Sequence, residues 1–342
     1  MVSDFQDWGY NTAGYHSPLS LLEHLPFLQD CYPAQISYWM GKPAYPDVFD
    51  PAFQTRVENL LEAACAPVRG HRNLIGVYWT DTPQWDLNKA RARWDIDWVS
   101  AIRSLPSSAP GKRSYVEYLL RTIHGDDDLK LYLGNKAKPE DAFHRLMETA
   151  FEDLDREHPV VLRDDKGFLR LIARKYYQIT AQATHHAARG HLLFGDRYIA
   201  GDHPDEVLEE AVPHIDVVSI QPYGNVFDRE YFEPIHAKTG KPILICDHAI
   251  NFPVSGYSGT VWPQCASEEE AALSSTKYLR DLFGCSYMIG YHRCQYIDRV
   301  VPGTSLLKQG LLQSDETPYT LLIEHLRQAN QEILDAFKLS AR

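Results

Sequence analysis

The 342-residue chain has no apolar run approaching the roughly 18 to 20 residues that a membrane span requires. It has no basic excess either, since 34 Lys+Arg stand against 46 Asp+Glu for a formal charge of -12. A nucleic-acid binder would present a basic face, so no nucleic-acid partner is expected. The six cysteines are scattered, with no C-x-x-C pair and no Cys/His spacing of a zinc site, which leaves free thiols as the simple reading. The dinucleotide fingerprint G-x-G-x-x-G and the phosphate loop G-x-x-x-x-G-K-[ST] are both missing, and no cofactor is expected. Residues 1–7 lack the basic and apolar regions of an export signal, so the expected compartment is the cytoplasm.

What is present is the make-up of a globular enzyme, 44% apolar and 12% aromatic. Short runs rich in β-branched and aromatic residues predict strands at 9–13, 35–40, 74–80, 191–196, 215–221, 242–246 and 287–291. Amphipathic stretches predict helices at 18–29, 51–65, 170–188, 204–212, 229–238, 267–283 and 318–337. Strand and helix in regular alternation indicate a parallel α/β sheet, because parallel neighbours need a crossover. Nearly every strand runs out into polar and aromatic residues, as in a barrel whose active site is built from the carboxyl ends of its strands. The expected fold is a TIM (β/α)8-type barrel forming one domain over 1–342, with one further strand, the first, not recognisable in the sequence. Residues 84–169 are too long for an ordinary βα loop of about 2 to 6 residues and predict a helical insertion over the active-site face.

Two carboxylates stand at strand tips, Asp81 in Val77-Tyr78-Trp79-Thr80-Asp81 and Asp247 in Leu244-Ile245-Cys246-Asp247-His248. Paired carboxyls across a barrel mouth are what glycoside hydrolysis requires, one to protonate the leaving oxygen and one to attack carbon or activate water. A strand-tip Asp is equally at home as a helix cap or loop anchor. Trp39, Trp79, Trp85, Tyr223 and Trp262 lie at or past strand ends, where an aromatic face can stack on a pyranose ring. Asn11, Arg197, Gln221, His248, His292 and Gln295 supply hydrogen-bonding partners for hydroxyl groups. The expected ligand is therefore a carbohydrate, bound by these residues.

The chain resembles the agarase-like branch of the clan A glycoside hydrolases. The resemblance rests on residues 9–14, 75–81, 191–198, 216–223, 241–248 and 290–298, and on Pro318-Tyr319 followed by a helix, all in family order. It implies a (β/α)8 barrel and a retaining mechanism with two glutamates. The chain departs from that pattern at both. Where such agarases look like Asp-Asn-Glu, with the Glu as acid/base, this chain has Asp81-Thr82-Pro83. Where they look like Gly-Glu-Phe-His, with the Glu as nucleophile, it has Cys246-Asp247-His248-Ala249. Three readings follow: a galactan-active glycosidase using Asp247 and Asp81, with Asp86 as another source of the acid; a barrel that binds saccharide without hydrolysing it; and a metal-assisted lyase, isomerase or hydrolase using Asp81, Asp247, His248, His292 and His16. The first is favoured, and no H-x-H or H-E-x-x-H spacing supports a metal site.

Overall fold

The aliphatic runs at 218–221 and 243–246 are buried on both faces, the pattern of strands inside a parallel sheet. The computed structural model describes residues 1–134 and 138–340. Among these residues the strands are β1 (Phe27–Asp30), β2 (Leu74–Asp81), β3 (Leu192–Ile199), β4 (Val218–Gln221), β5 (Ile243–His248), β6 (Gly259–Thr260), β7 (Met288–Arg293), β8 (Arg299–Val300) and β9 (Leu306–Lys308). The chain divides into two units, Met1–Gln29 with Gly70–Gly76 and Asp216–Arg342, and Asp30–Arg69 with Val77–Ile215.

In the first unit β4, β5 and β7 are successive parallel neighbours, with Val218 opposite Ile243 and Ile245 opposite Tyr291. A crossover helix separates each pair, Arg229–Thr239 and Glu268–Phe283. Each starts where a side chain satisfies an orphan N–H: Asp228 accepts from Tyr231, and Ser267 from Glu270. The first stops at Gly240, whose φ of 64° is left-handed and suits a residue without Cβ. Glu268, Glu269 and Glu270 place negative charge at the positive end of the second helix. A small sheet joins β6 to β9 in parallel and β9 to β8 antiparallel.

The second unit is mainly helical around the end of β2 and β3. Helix Pro51–Cys65 opens with Asp50 as cap and Pro51 in the first turn, and it buries Phe53, Val57, Leu61 and Cys65 at four-residue spacing. The longest helix, Pro159–Ala187, begins inside the stretch 84–169 predicted as an insertion, after Leu87–Trp94, Trp98–Arg103, Pro110–Thr122, Asp126–Leu133 and Ala142–Glu148. Buried polar links fasten these helices to the long one. Arg103 pairs with Asp165 at 2.8 Å, and the Tyr132 hydroxyl donates to Asp164 at 2.6 Å. Burial pushes Asp165 up to about 6 and Lys112 down to about 8, the latter donating to the carbonyls of Arg103 and Thr149.

The strands predicted at 74–80, 191–196, 215–221, 242–246 and 287–291 are present, while those at 9–13 and 35–40 are not. At 9–13 the chain leaves helix Val2–Asp7 through Gly9 at φ 77°, and its sheet pairing is a single bridge from Ala13 to Phe27. At 35–40 the Ser37 hydroxyl accepts from Trp39 N–H, winding Tyr38–Met40 into a 3-10 turn that ends at Gly41, φ 89°. The helix predicted over 18–29 is one turn, Leu19–Leu22, followed by β1. Pro26 explains the switch, since it lacks an N–H and biases Leu25 away from helical angles. Within 84–169 the helix Ala142–Glu148 stops short of Phe151, which has a φ of 59°.

Candidate active site

In the second unit the tip of β2 is held by the tip of β3. Asp81 accepts from Arg197 Nη1 at 2.9 Å, with the arginine 1% exposed. Thr82, at φ 47°, donates its N–H to the Arg197 carbonyl and accepts at its own carbonyl from Tyr38 N–H, both at 2.9 Å. Pro83 bridges to Ser37, and the Ser37 and Thr82 hydroxyls lie 3.2 Å apart. Asp86 caps the helix that follows, accepting the N–H groups of Asn88 and Lys89 at 2.9 Å.

Trp79 and Trp85 are core residues. Trp79 donates its indole N–H to Thr184 at 2.9 Å, and Trp85 donates to Asp196 at 3.1 Å. Asp196 is a buried hub at the end of β3, accepting also from the Tyr177 hydroxyl at 2.7 Å and Thr80 N–H at 3.1 Å. Burial pushes its carboxyl up to about 6 against the pull of those donors. Trp39 is different, half exposed on its turn with its ring edge-on to Tyr38.

In the first unit the end of β4 places Gln221 in the interior, where its Oε1 accepts from the Tyr223 hydroxyl. The Tyr223 ring lies flat on Trp262, with centroids 4.0 Å apart and planes at 15°. At the end of β5 come Asp247, partly exposed, and His248, fully buried. The imidazole approaches the Gly224 carbonyl through Nε2 at 2.7 Å and the Tyr291 hydroxyl through Nδ1 at 2.9 Å. Burial pushes it down to about 4; the bond to Gly224 works the other way, and the Arg293 charge adds to the fall. His292 packs so closely on Gly14 that a Cβ there would stand 3.0 Å from its Nδ1. Gln295 spends its amide on the carbonyls of Ile297 and Lys308, at 2.8 and 3.0 Å. Asn11 is exposed and accepts from Thr12 at 3.1 Å.

Gln221, Tyr223, Trp262, Asp247, His248 and His292 thus belong to neighbouring tips and loops of one unit, and Asp81 with Arg197 to adjoining tips of the other. Among the described residues no group of three or more His, Cys, Asp or Glu is disposed to hold a metal ion, and no helix is long and apolar enough to cross a membrane. Sequence reasoning missed Asp196 and Tyr291. Both stand among the polar residues of their strands, but their partners come from other segments.

No protein-family model matches the chain. It is similar to β-agarase B of Vibrio sp. (strain JT0107), 24% identical over 294 residues, which is 84% of this chain and 30% of that protein. Its structure is similar to that of an exo-β-agarase, with a TM-score of 0.81 and 20% identity over 97% of this chain and 45% of the other. A second agarase structure gives 0.80 and 19% over 97% and 48%. The fold is that of these agarases. The chain spans less than half the length of each of these three relatives.

Proposed function

We propose that the chain is a glycoside hydrolase barrel acting on an agarose-type galactan. The observation that carries this reading is the similarity to β-agarase B along 84% of the chain, in company with an α/β fold of agarase type. In this proposal the sheet completes a (β/α)8 barrel as one domain, and residues 84–169 form a helical insertion over its active-site face.

Asp247, at the tip of β5, takes the place of the nucleophile or water-activating base. It keeps a carboxylate one methylene shorter than glutamate. Asp81, in the other unit, accepts a hydrogen bond from Arg197 and so suits charge stabilisation better than proton donation. In the first unit the Tyr223 and Trp262 rings, with His292, form a saccharide-binding surface, and in the second the half-exposed Trp39 offers a stacking face of its own.

The test is release of reducing ends from agarose and from defined agaro-oligosaccharides, with Asp247→Asn as the control. Turnover by the wild type should fall by about 10²- to 10⁴-fold in the variant while binding survives. Equal rates for the two proteins would remove Asp247 from the mechanism. The ion pair of Asp81 and the proline at position 83 favour a second reading, a barrel that binds the galactan without cutting it. Tight binding with no reducing ends released by the wild type would establish that alternative.

A further inference from the structure

We propose that His248 is a positioning residue, a neutral imidazole carrying its proton on Nε2 alone, which ties the corner after β4 and the tip of β5 to β7 and so holds Tyr223 and Asp247 in place for saccharide. The proposal rests on the saccharide reading above for its function, and on hydrogen-bond direction for its chemistry.

A carbonyl oxygen can only accept. The 2.7 Å contact between His248 Nε2 and the Gly224 carbonyl therefore puts the proton on Nε2. Nδ1 of the neutral ring is then an acceptor, and the Tyr291 hydroxyl at 2.9 Å is its donor. The same hydroxyl lies 3.3 Å from the backbone carbonyl of His248, a longer and competing acceptor for its single proton. Both ring nitrogens are engaged inside the protein, which leaves none for a sugar.

The surroundings hold the ring in that state. Tyr278, from helix Glu268–Phe283, stacks on it at 4.2 Å and 19°, and Tyr291 meets it edge-on at 5.5 Å. Arg293, the partner of His248 across the β5–β7 pairing, adds a like charge that opposes protonation. The groups facing the imidazole are thus two phenols, a carbonyl and a guanidinium.

The two ends of this clamp are functional positions. Gly224 directly follows Tyr223, whose ring lies on Trp262. Asp247 directly precedes His248, and alternation along a strand sends the two side chains to opposite faces. An anchored His248 therefore fixes, from behind, the direction in which the Asp247 carboxylate points. Loosening it disturbs the aromatic platform and the carboxylate together.

Nitrogen-15 NMR of the histidine-labelled protein reads the tautomer directly. The expected result is an Nε2–H imidazole that stays neutral to about pH 5, and a ring that protonates at higher pH in Tyr291→Phe, where the donor to Nδ1 is gone. An Nδ1–H tautomer, or an imidazolium at pH 7, overturns the proposal. Kinetics on agaro-oligosaccharides supply the functional arm. Tyr291→Phe should lower kcat by about 10-fold and raise KM, since a small misplacement is costly in rate. His248→Gln, whose amide can still donate to Gly224, should retain more activity than His248→Ala. Wild-type kinetics in both Tyr291→Phe and His248→Ala would also overturn it. If the wild type neither binds nor cuts galactan, the saccharide reading fails, and the NMR result alone then decides the clamp. If His248→Ala does not fold, Tyr291→Phe still carries both arms.

Discussion

Arg197 and Asp81 form a buried ion pair at the tips of β3 and β2, with Nη1 2.9 Å from Oδ1. Removing one member of such a pair leaves an uncompensated charge with little water to solvate it. Arg197→Met should lower the unfolding free energy by about 3 to 5 kcal/mol, and adding Asp81→Asn should recover part of the loss. Urea denaturation of the two singles and the double measures both. Additive losses would mean that the two groups do not act as a pair.

His248 makes stability depend on pH with a definite sign. The unfolded imidazole titrates near 6.5 and the folded one at about 4, so between these values the unfolded chain binds a proton that the folded one refuses. Stability is therefore full above about pH 6.5 and lost as pH falls toward 4, by about 3 kcal/mol from this group. His248→Gln should flatten that limb in denaturation curves taken at several pH values.

Asp196 has the opposite slope in nearly the same window. Its folded carboxyl titrates at about 6 against an ordinary 3.8, so its contribution is complete below the lower value and is lost as pH rises through the upper. Asp196→Asn should remove this term and make the loss of stability on acidification steeper than in the wild type. The variant should also be less stable at neutral pH by about 1 to 3 kcal/mol, because the amide nitrogen would face the Trp85 and Tyr177 donors.

Two tryptophans should respond in contrasting ways. Trp39, half exposed, should change stability little when replaced by alanine but weaken saccharide binding by about 0.5 to 1.5 kcal/mol, some 2- to 12-fold in KM. Trp79, fully buried, should cost about 3 to 5 kcal/mol of stability as alanine. Calorimetric melting beside oligosaccharide titration separates the two. A Trp39→Ala variant with wild-type affinity would take this residue out of the binding surface.

How much the sequence disclosed depended on how local each cause was. Strands such as β5 are apolar through several successive residues and lie between a cap and a left-handed glycine, so their existence is written in adjacent positions. The segment 9–40 was misread because its outcome turned on three local devices, Gly9, Pro26 and the Ser37 cap, each of which overrode an apolar pattern. The strand-tip carboxylates were legible for the same reason that β2 and β5 were. The grip of Arg197 on Asp81 spans 116 positions and that of Tyr291 on His248 spans 43, distances over which no periodicity speaks. Tyr and Trp at strand ends read alike in sequence, although some face inward to a carboxylate and others stand exposed.

The stacked indoles of Trp85 and Trp98, 4.4 Å apart and 25° from parallel, join the segment just past β2 to helix Trp98–Arg103. Transition dipoles that close and that skewed couple. The pair is thus an intrinsic optical label: a split circular-dichroism band in the far ultraviolet would report whether helix Trp98–Arg103 is packed on the segment past β2, with no dye or tag attached.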